Sequence, residues 1–193
     1  MKKLFLIGGL LFSGLANAEA PFGLKTGMSL IEVKRIAGDP IRISDNYYMF
    51  TKIPKPVAGL ISYGMLITPK SGLCKVVGVG KTLNTNVYGD AIKSEFLDLK
   101  NLLTSKYGKP TRDYDFLRVG SIWKEHNDWM MGLYKEERTL TAMWGVNESN
   151  GIEDLMLNAI ADSGNTGYVT ITYELSNINS CSKERKSRDA SGL

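Results

Sequence analysis

The chain has 193 residues, 43% of them hydrophobic, with 24 Lys and Arg against 20 Asp and Glu and a single histidine. That is enough apolar material to bury one core or the cores of two small packed modules. A formal charge of +4 without a basic stripe interleaved with aromatics excludes nucleic acid as a partner, and one imidazole excludes multi-histidine zinc chemistry.

Lys2-Lys3, an apolar run from Leu4 to Leu15 and the small residues Ala16-Asn17-Ala18 have the three parts of a cleavable secretory signal. About twelve apolar residues fall short of the roughly 20 that span a bilayer. No cysteine follows for lipid attachment. Residues 1-18 are therefore expected to be removed, leaving a periplasmic or secreted protein with no stable membrane insertion. Losing Lys2 and Lys3 lowers the formal excess from +4 to +2. Most of that remainder lies in Lys183-Glu184-Arg185-Lys186-Ser187-Arg188, which has no apolar partner and reads as a solvated, polar tail over 179-193. Cys74 and Cys181, sent to an oxidising compartment, predict one disulfide. Two buried free thiols or a redox pair are the alternatives, the latter without a Cys-x-x-Cys spacing.

The grammar of a helix occurs twice. Ser29 with Glu32 makes a capping box ahead of Leu30, Val33, Ile36 and Ala37, and Gly38 and Pro40 end the helix with a left-handed turn. Seventy residues later a stripe of Ile92, Phe96, Leu99, Leu103 and Tyr107 follows Asp90 and ends at Gly108 and Pro110. Gly38-Asp39-Pro40-Ile41-Arg42 and Gly108-Lys109-Pro110-Thr111-Arg112 keep Gly, Pro and Arg in register, as an internal repeat would. After the first helix, Ile41 to Phe50, Leu60 to Thr68 and Leu73 to Lys81 read as strands. After the second, Ser121 to Lys124, Trp129 to Lys135, Thr139 to Trp144, Leu155 to Ala161 and Tyr168 to Leu175 do, with turns at Asn127-Asp128, Glu136-Glu137 and 163-167. Ile152 to Ala161 fits a helical turn series as well. In the last strand Val169, Ile171, Tyr173 and Leu175 alternate with Thr170, Thr172 and Glu174, the mark of a sheet with one dry face. The predicted fold is α+β: two tandem helix-plus-antiparallel-sheet modules in two layers, 19-88 and 89-178.

Leu24-Lys25-Thr26-Gly27-Met28-Ser29-Leu30-Ile31-Glu32-Val33 with Gly38-Asp39-Pro40 resembles the opening signature of SmpA/OmlA-type outer-membrane assembly lipoproteins and of the similar tandem modules in secreted β-lactamase inhibitor proteins. The resemblance covers about twenty residues, Leu24 to Pro40. It implies a non-catalytic protein-binding factor of the envelope, and no binding residues carry over. The lipid-attachment cysteine is missing, and the second half keeps only the helix end.

Patterns that could carry chemistry are weak in context. Ser121-Ile122-Trp123-Lys124, Ser44-Asp45-Asn46 and Lys25-Thr26-Gly27 match short motifs of penicillin-recognising serine enzymes, but run in reverse order along the chain. Ser121 and Lys124, read on a strand, would face opposite ways. His126 sits in a polar turn and reads as solvated. Glu136-Glu137 and Asp113 with Asp115 read as solvent-facing acids rather than a glycosidase pair. Gly78-Val79-Gly80-Lys81-Thr82 lacks the spacing of a phosphate loop and reads as a bulge or turn.

The aromatic set Trp123, Trp129, Tyr134 and Trp144 reads first as core. If exposed, it would make a protein-binding patch of Trp123, Trp129, Met130 and Tyr134, with Trp129, Met130 and Met131 outermost. The Lys52 to Gly59 loop, stiffened by Pro54 and Pro56, is a second contact surface. No catalytic residue, cofactor or metal is expected. The expected role is an exported binding factor of inhibitor, immunity or assembly type, its partner an envelope or secreted protein. A small-molecule or lipid carrier with a cavity between sheet and helices, and a hydrolase using Ser121 and Lys124, are the alternatives.

Overall fold

The computed structural model describes residues 19-145 and 151-190. The signal-like segment 1-18 lies outside the described residues. In chain order the elements are β1 (Glu19–Ala20), a 3-10 turn at Pro21–Gly23, β2 (Leu24–Lys25), α1 (Leu30–Ala37), β3 (Ile41–Ser44), β4 (Tyr47–Phe50), β5 (Leu60–Thr68), β6 (Gly72–Gly80), β7 (Leu83–Asn84), α2 (Asp90–Tyr107), β8 (Arg112–Leu117), a 3-10 turn at His126–Asp128, α3 (Trp129–Tyr134), β9 (Arg138–Trp144), β10 (Ile152–Ala161), β11 (Thr166–Leu175) and α4 (Ile178–Ala190). The fold is mixed α+β.

One antiparallel sheet runs through the molecule in the order β3-β4-β5-β6-β11-β10-β9-β8, with short β7 also pairing with β11. Each of α1 and α2 precedes a four-stranded meander. The last strand of one meander pairs with the last of the other, from Thr170 opposite Val79 to Glu174 opposite Lys75.

Local chemistry sets the helix ends. Ser29 Oγ accepts from the Glu32 N–H while Glu32 accepts from the Ser29 N–H at 2.8 Å, so two donors that a helix start leaves bare are both satisfied. The Ser29 N–H foremost, and the Ser29 hydroxyl donating to the same carboxylate at 2.7 Å, hold the Glu32 carboxyl below its ordinary pKa. At the other ends, Gly38 takes φ 81°, ψ −172° and Gly108 takes φ 83°, ψ −172°. The positive φ is as predicted, but the ψ is extended rather than left-handed helical, a region open almost only to glycine. Both N–H groups still close the last turn, on Lys34 O and Thr104 O.

Along α2, Ile92, Phe96, Leu99 and Leu103 are buried at helical spacing. They share a core with Val33 and Ala37 of α1, Trp129, Met130 and Leu133 of α3, and alternate sheet residues such as Tyr63, Met65, Ala142, Leu157 and Ile171. Glycines in β6 allow this close approach: a Cβ at Gly78 would lie 2.7 Å from Leu60 Cδ1 and 3.1 Å from Phe22 Cζ. The Gly78 to Thr82 stretch is strand and strand end, and the β5–β6 register shifts opposite Val79 and Gly80, between Leu60 and Ser62.

Four sequence expectations change. Ile41 to Phe50 is a hairpin, not one strand, because Asp45-Asn46 makes a turn with Asn46 at φ 64°. Ser121 to Lys124 is turn and loop, with Ser121 Oγ accepting from the Trp123 N–H. Trp129 to Lys135 is not a strand but a helix, entered through the 3-10 turn where a hairpin turn was expected. The tail is helix α4: Cys181 is buried in a small second cluster with Leu66 and Cys74, and Tyr47 and Ile178 pack against it. Ile152 to Ala161 is a strand, paired on both sides. The Cys74–Cys181 disulfide is formed, with Cα atoms 6.5 Å apart.

Candidate protein-binding surface

Successive strand residues point to opposite faces, so the register fixes what each face displays. The face bearing α1, α2 and α3 carries the row Phe50, Tyr63, Gly78, Ile171, Leu157 and Ala142, every member buried. The other face carries a neighbouring row: Ile41, Met49, Gly64, Val77, Thr172, Met156, Met143 and Arg112, one residue from each of eight strands. Ile41 is exposed, and Met49, Val77, Met156 and Met143 are half-buried. Methionine adapts its shape to a partner more readily than branched side chains do.

The next row out ends on β8. Tyr114 lies opposite Thr141 and Phe116 opposite Thr139, while the neighbours Leu140 and Ala142 belong to the core, so both rings are on the open face. They stand edge to face with centroids 5.9 Å apart and are 38% and 49% exposed. On the helix side of the same strand, Asp113 pairs with Lys100 and Asp115 with Arg138 at 3.0 Å. The strand is therefore exposed on both sides, with the acids, 48% and 51% exposed, on the helix side and the aromatic rings on the open face. Beyond it, the loop to α3 carries Val119 and Ile122, 99% and 73% exposed.

A polar row crosses the same face nearer α4: Lys75 and Glu174 form an ion pair at 2.9 Å, with Asp154 opposite Glu174. Burial, with the Glu174 charge beside it, pushes the Asp154 carboxyl above its ordinary pKa despite a hydrogen bond from the Leu155 N–H. Past this row α4 lies over Leu66 and Tyr47. Glu184 accepts from Thr68 Oγ1 at 2.7 Å, from the Lys70 and Ser71 N–H groups at 2.8 and 3.1 Å, and from Ser71 Oγ at 3.0 Å. Burial alone would raise the Glu184 pKa, but these hydrogen bonds outweigh it and lower it. Asn177 Nδ2 donates to Ser71 O and Leu73 O, anchoring the helix start.

The residues singled out from sequence fall elsewhere. Trp129 and Met130, expected as the outermost of an exposed set, are 5% and 0% exposed. The reason is packing at the start of α2: Trp129 lies over Gly89, where a Cβ would come within 2.2 Å of its ring, with Lys93 Nζ 4.3 Å from the ring centroid. Trp144 is buried too, its Nε1 donating to Gly108 O at 2.8 Å. Trp123 is half-buried against Gly132, and Tyr134 is 42% exposed on α3. These four do not form one surface patch. His126 is exposed and stacks near Tyr88 with centroids 4.9 Å apart. Glu137 pairs with Arg118 at 3.2 Å. Among the described residues no three His, Cys, Asp or Glu side chains gather as a metal-ligand set, and no helix is long and apolar enough to cross a membrane.

Tyr114 and Phe116 were missed from sequence, although Asp113-Tyr114-Asp115-Phe116 alternates as a strand should. No protein-family model, curated protein or solved structure matches this chain.

Proposed function

We propose that this is an exported, non-catalytic protein-binding factor of the bacterial cell envelope, built of two tandem modules, which grips its partner with the open face of the sheet. The observation that carries the proposal is the ring pair on strand β8: Tyr114 and Phe116 are displayed to solvent on the open face beside the methionine row. Aromatic residues and methionine are the side chains that binding surfaces enrich. Leaving two rings in water is otherwise unfavourable, by about 25 cal/mol per Å² of apolar surface. A partner of inhibitor, immunity or assembly type would cover them.

Two tandem modules are supported by the matching order of α1-β3-β4-β5-β6 and α2-β8-β9-β10-β11, by the shared backbone angles of Gly38 and Gly108, and by the Gly, Pro and Arg that both helix ends keep in register. Export is supported by the signal-like start and fits the disulfide. The resemblance of Leu24 to Pro40 to envelope assembly and inhibitor modules points the same way.

The test is a crosslinked pull-down from the host's own envelope fraction with the mature chain and a Tyr114→Ser, Phe116→Ser variant. A defined partner captured by the first and lost by the second is the expected result. Equal capture by both would move the site off this face, and capture of nothing by either would end the proposal.

A further inference from the structure

The sheet order ends at β8, and among the described residues nothing pairs with the far side of that strand. Register and hydrogen bonding fix what the far side offers. The Arg118 N–H donates to Glu137 O at 2.7 Å, continuing the register that sets Leu117 opposite Arg138, so Phe116, Tyr114 and Arg112 exchange hydrogen bonds with β9. The N–H and C=O groups of Asp113, Asp115 and Leu117 therefore point away from the sheet. The strand at the opposite end, β3, has four residues and a register shift between Arg42 and Ser44, the kind of short, bulged edge that resists further pairing. By contrast β8 runs six residues in unbroken register and is exposed from Arg112 to Phe116.

The side chains on its two faces define what could pair there. A groove of about 400 Å³ lies between α2 and β8, with Phe96, Leu97 and Leu140 beside Lys100, Asp113 and Asp115. Leu97 is exposed in it. Asp113 and Asp115 each hold one cation and are still 48% and 51% exposed, against 23% for Lys100 and 17% for Arg138, so the charge most open to a newcomer at this edge is negative. On the other face the strand presents Tyr114 and Phe116. A second copy of β8 fits poorly: antiparallel pairing centred on Asp113, Tyr114 or Asp115 sets one carboxylate against another, and like charges directly opposite are destabilising.

Given the protein-binding reading, on which this rests, we propose that the outer edge of β8 takes up an extended segment of a partner protein as one more antiparallel strand. Its alternate residues are basic over Asp113 and Asp115 and apolar over Tyr114 and Phe116. The main-chain groups of Asp113, Asp115 and Leu117 supply the hydrogen bonds, and the alternation supplies the selectivity. A lysine in such a segment lays its hydrocarbon stem along Leu97 in the groove and brings its ammonium to the carboxylates. Every pairing in this sheet is antiparallel, and the antiparallel ladder is the more stable per residue.

The experiment titrates the mature protein with capped hexapeptides and reads affinity and amide hydrogen exchange by NMR. A peptide alternating Lys and Ile is expected to bind at least tenfold tighter than one alternating Glu and Ile or one with all its Lys ahead of its Ile. It should slow exchange at Asp113, Asp115 and Leu117 far more than at Tyr114 and Phe116, which already bond to β9. In this register the Lys N–H groups of the peptide face β8, so N-methylation of its Lys should weaken binding at least tenfold and N-methylation of its Ile less than about twofold. Asp115→Pro, which removes an outward donor, is expected to bind at least tenfold more weakly than Asp115→Ala, which keeps it. No binding of the Lys and Ile alternate, equal binding of the other two peptides, equal loss from both methylations, or equal binding by Asp115→Pro and Asp115→Ala would each overturn the proposal. The methylated pair is read on the unaltered chain and decides even where Asp115→Pro fails to fold. Tyr114 and Phe116 are intact throughout, so failure here is separable from failure of the open-face site, which the pull-down reads.

Discussion

The two ends of the open sheet face are built from the same kind of meander and finished differently. Over β5 and β6, helix α4 is laid across the strands, bonded through Cys181 and held by Glu184 and Asn177. Over β8, β9 and β10 no element among the described residues lies on that face, and Tyr114, Phe116, Met143 and Met156 remain at the surface. Apolar side chains are thus buried by the chain itself at one end and, among the described residues, left at the surface at the other. The meander alone does not dictate which end is covered; that is set by where the chain places its last helix.

The strongest way to break this contrast compares the covered face with the open one. Phe96→Ala empties a site that is 4% exposed in the core and is expected to cost about 3–5 kcal/mol, whereas Phe116→Ala on the open face should cost under about 1 kcal/mol. Urea unfolding of both would show it, and a large loss for Phe116→Ala would mean that its ring is structural.

Next comes the bond that holds the covering helix. Cys181→Ser frees a loop spanning a sequence separation of 107 and is expected to cost about 2–4 kcal/mol in thermal unfolding. If α4 matters only as a cover, hydrogen exchange should rise in α4 and at β5 and β6 and stay unchanged at β8. A smaller effect follows Gly89→Ala, where φ is 75° and a Cβ would meet Trp129; a loss of about 1–3 kcal/mol, read from the shift in urea midpoint, is expected.

The last two concern pH and sharpen the contrast electrostatically. The lowered Glu184 pKa means that its contribution is present above the ordinary Glu range and is lost as pH falls through the folded-state value. Acidification should therefore loosen α4 in the wild type, and Glu184→Gln should remove that pH dependence in exchange measurements. Asp154 has the opposite sign: its pKa is raised, so its ionisation disfavours the folded state as pH rises through the folded value. Asp154→Asn should raise the melting temperature slightly at neutral pH, and the gain should vanish below the ordinary Asp range.

Much of the covered face could be read from the chain. The Ser29 and Glu32 box, the Ile92 to Leu103 stripe and the alternation of Val169 to Leu175 are local patterns, and local patterns survive into the structure. Trp129 to Tyr134 misled because six apolar residues show neither period clearly; the ring of Trp129 docking on Gly89, forty residues earlier in the chain, decided for helix. Helix α4 was illegible for another reason. It has no apolar stripe and is kept in place by one cysteine, one carboxylate and one amide reaching residues about a hundred positions away. The methionine row was the least legible feature, since its members sit one to a strand and become neighbours only once the register of eight strands is known.

The antiparallel pairing of β6 with β11 has a mechanical consequence. With strands about 4.8 Å apart, the row from Ile41 to Arg112 measures about 33 Å across the sheet. A standard interface of about 800 Å² per partner has about the same diameter. Because the hydrogen-bonded seam leaves no hinge between the meanders, the row behaves as a stiff ruler. A partner that fits it loses little to ordering this chain on docking, and one whose spacing differs cannot be accommodated by bending.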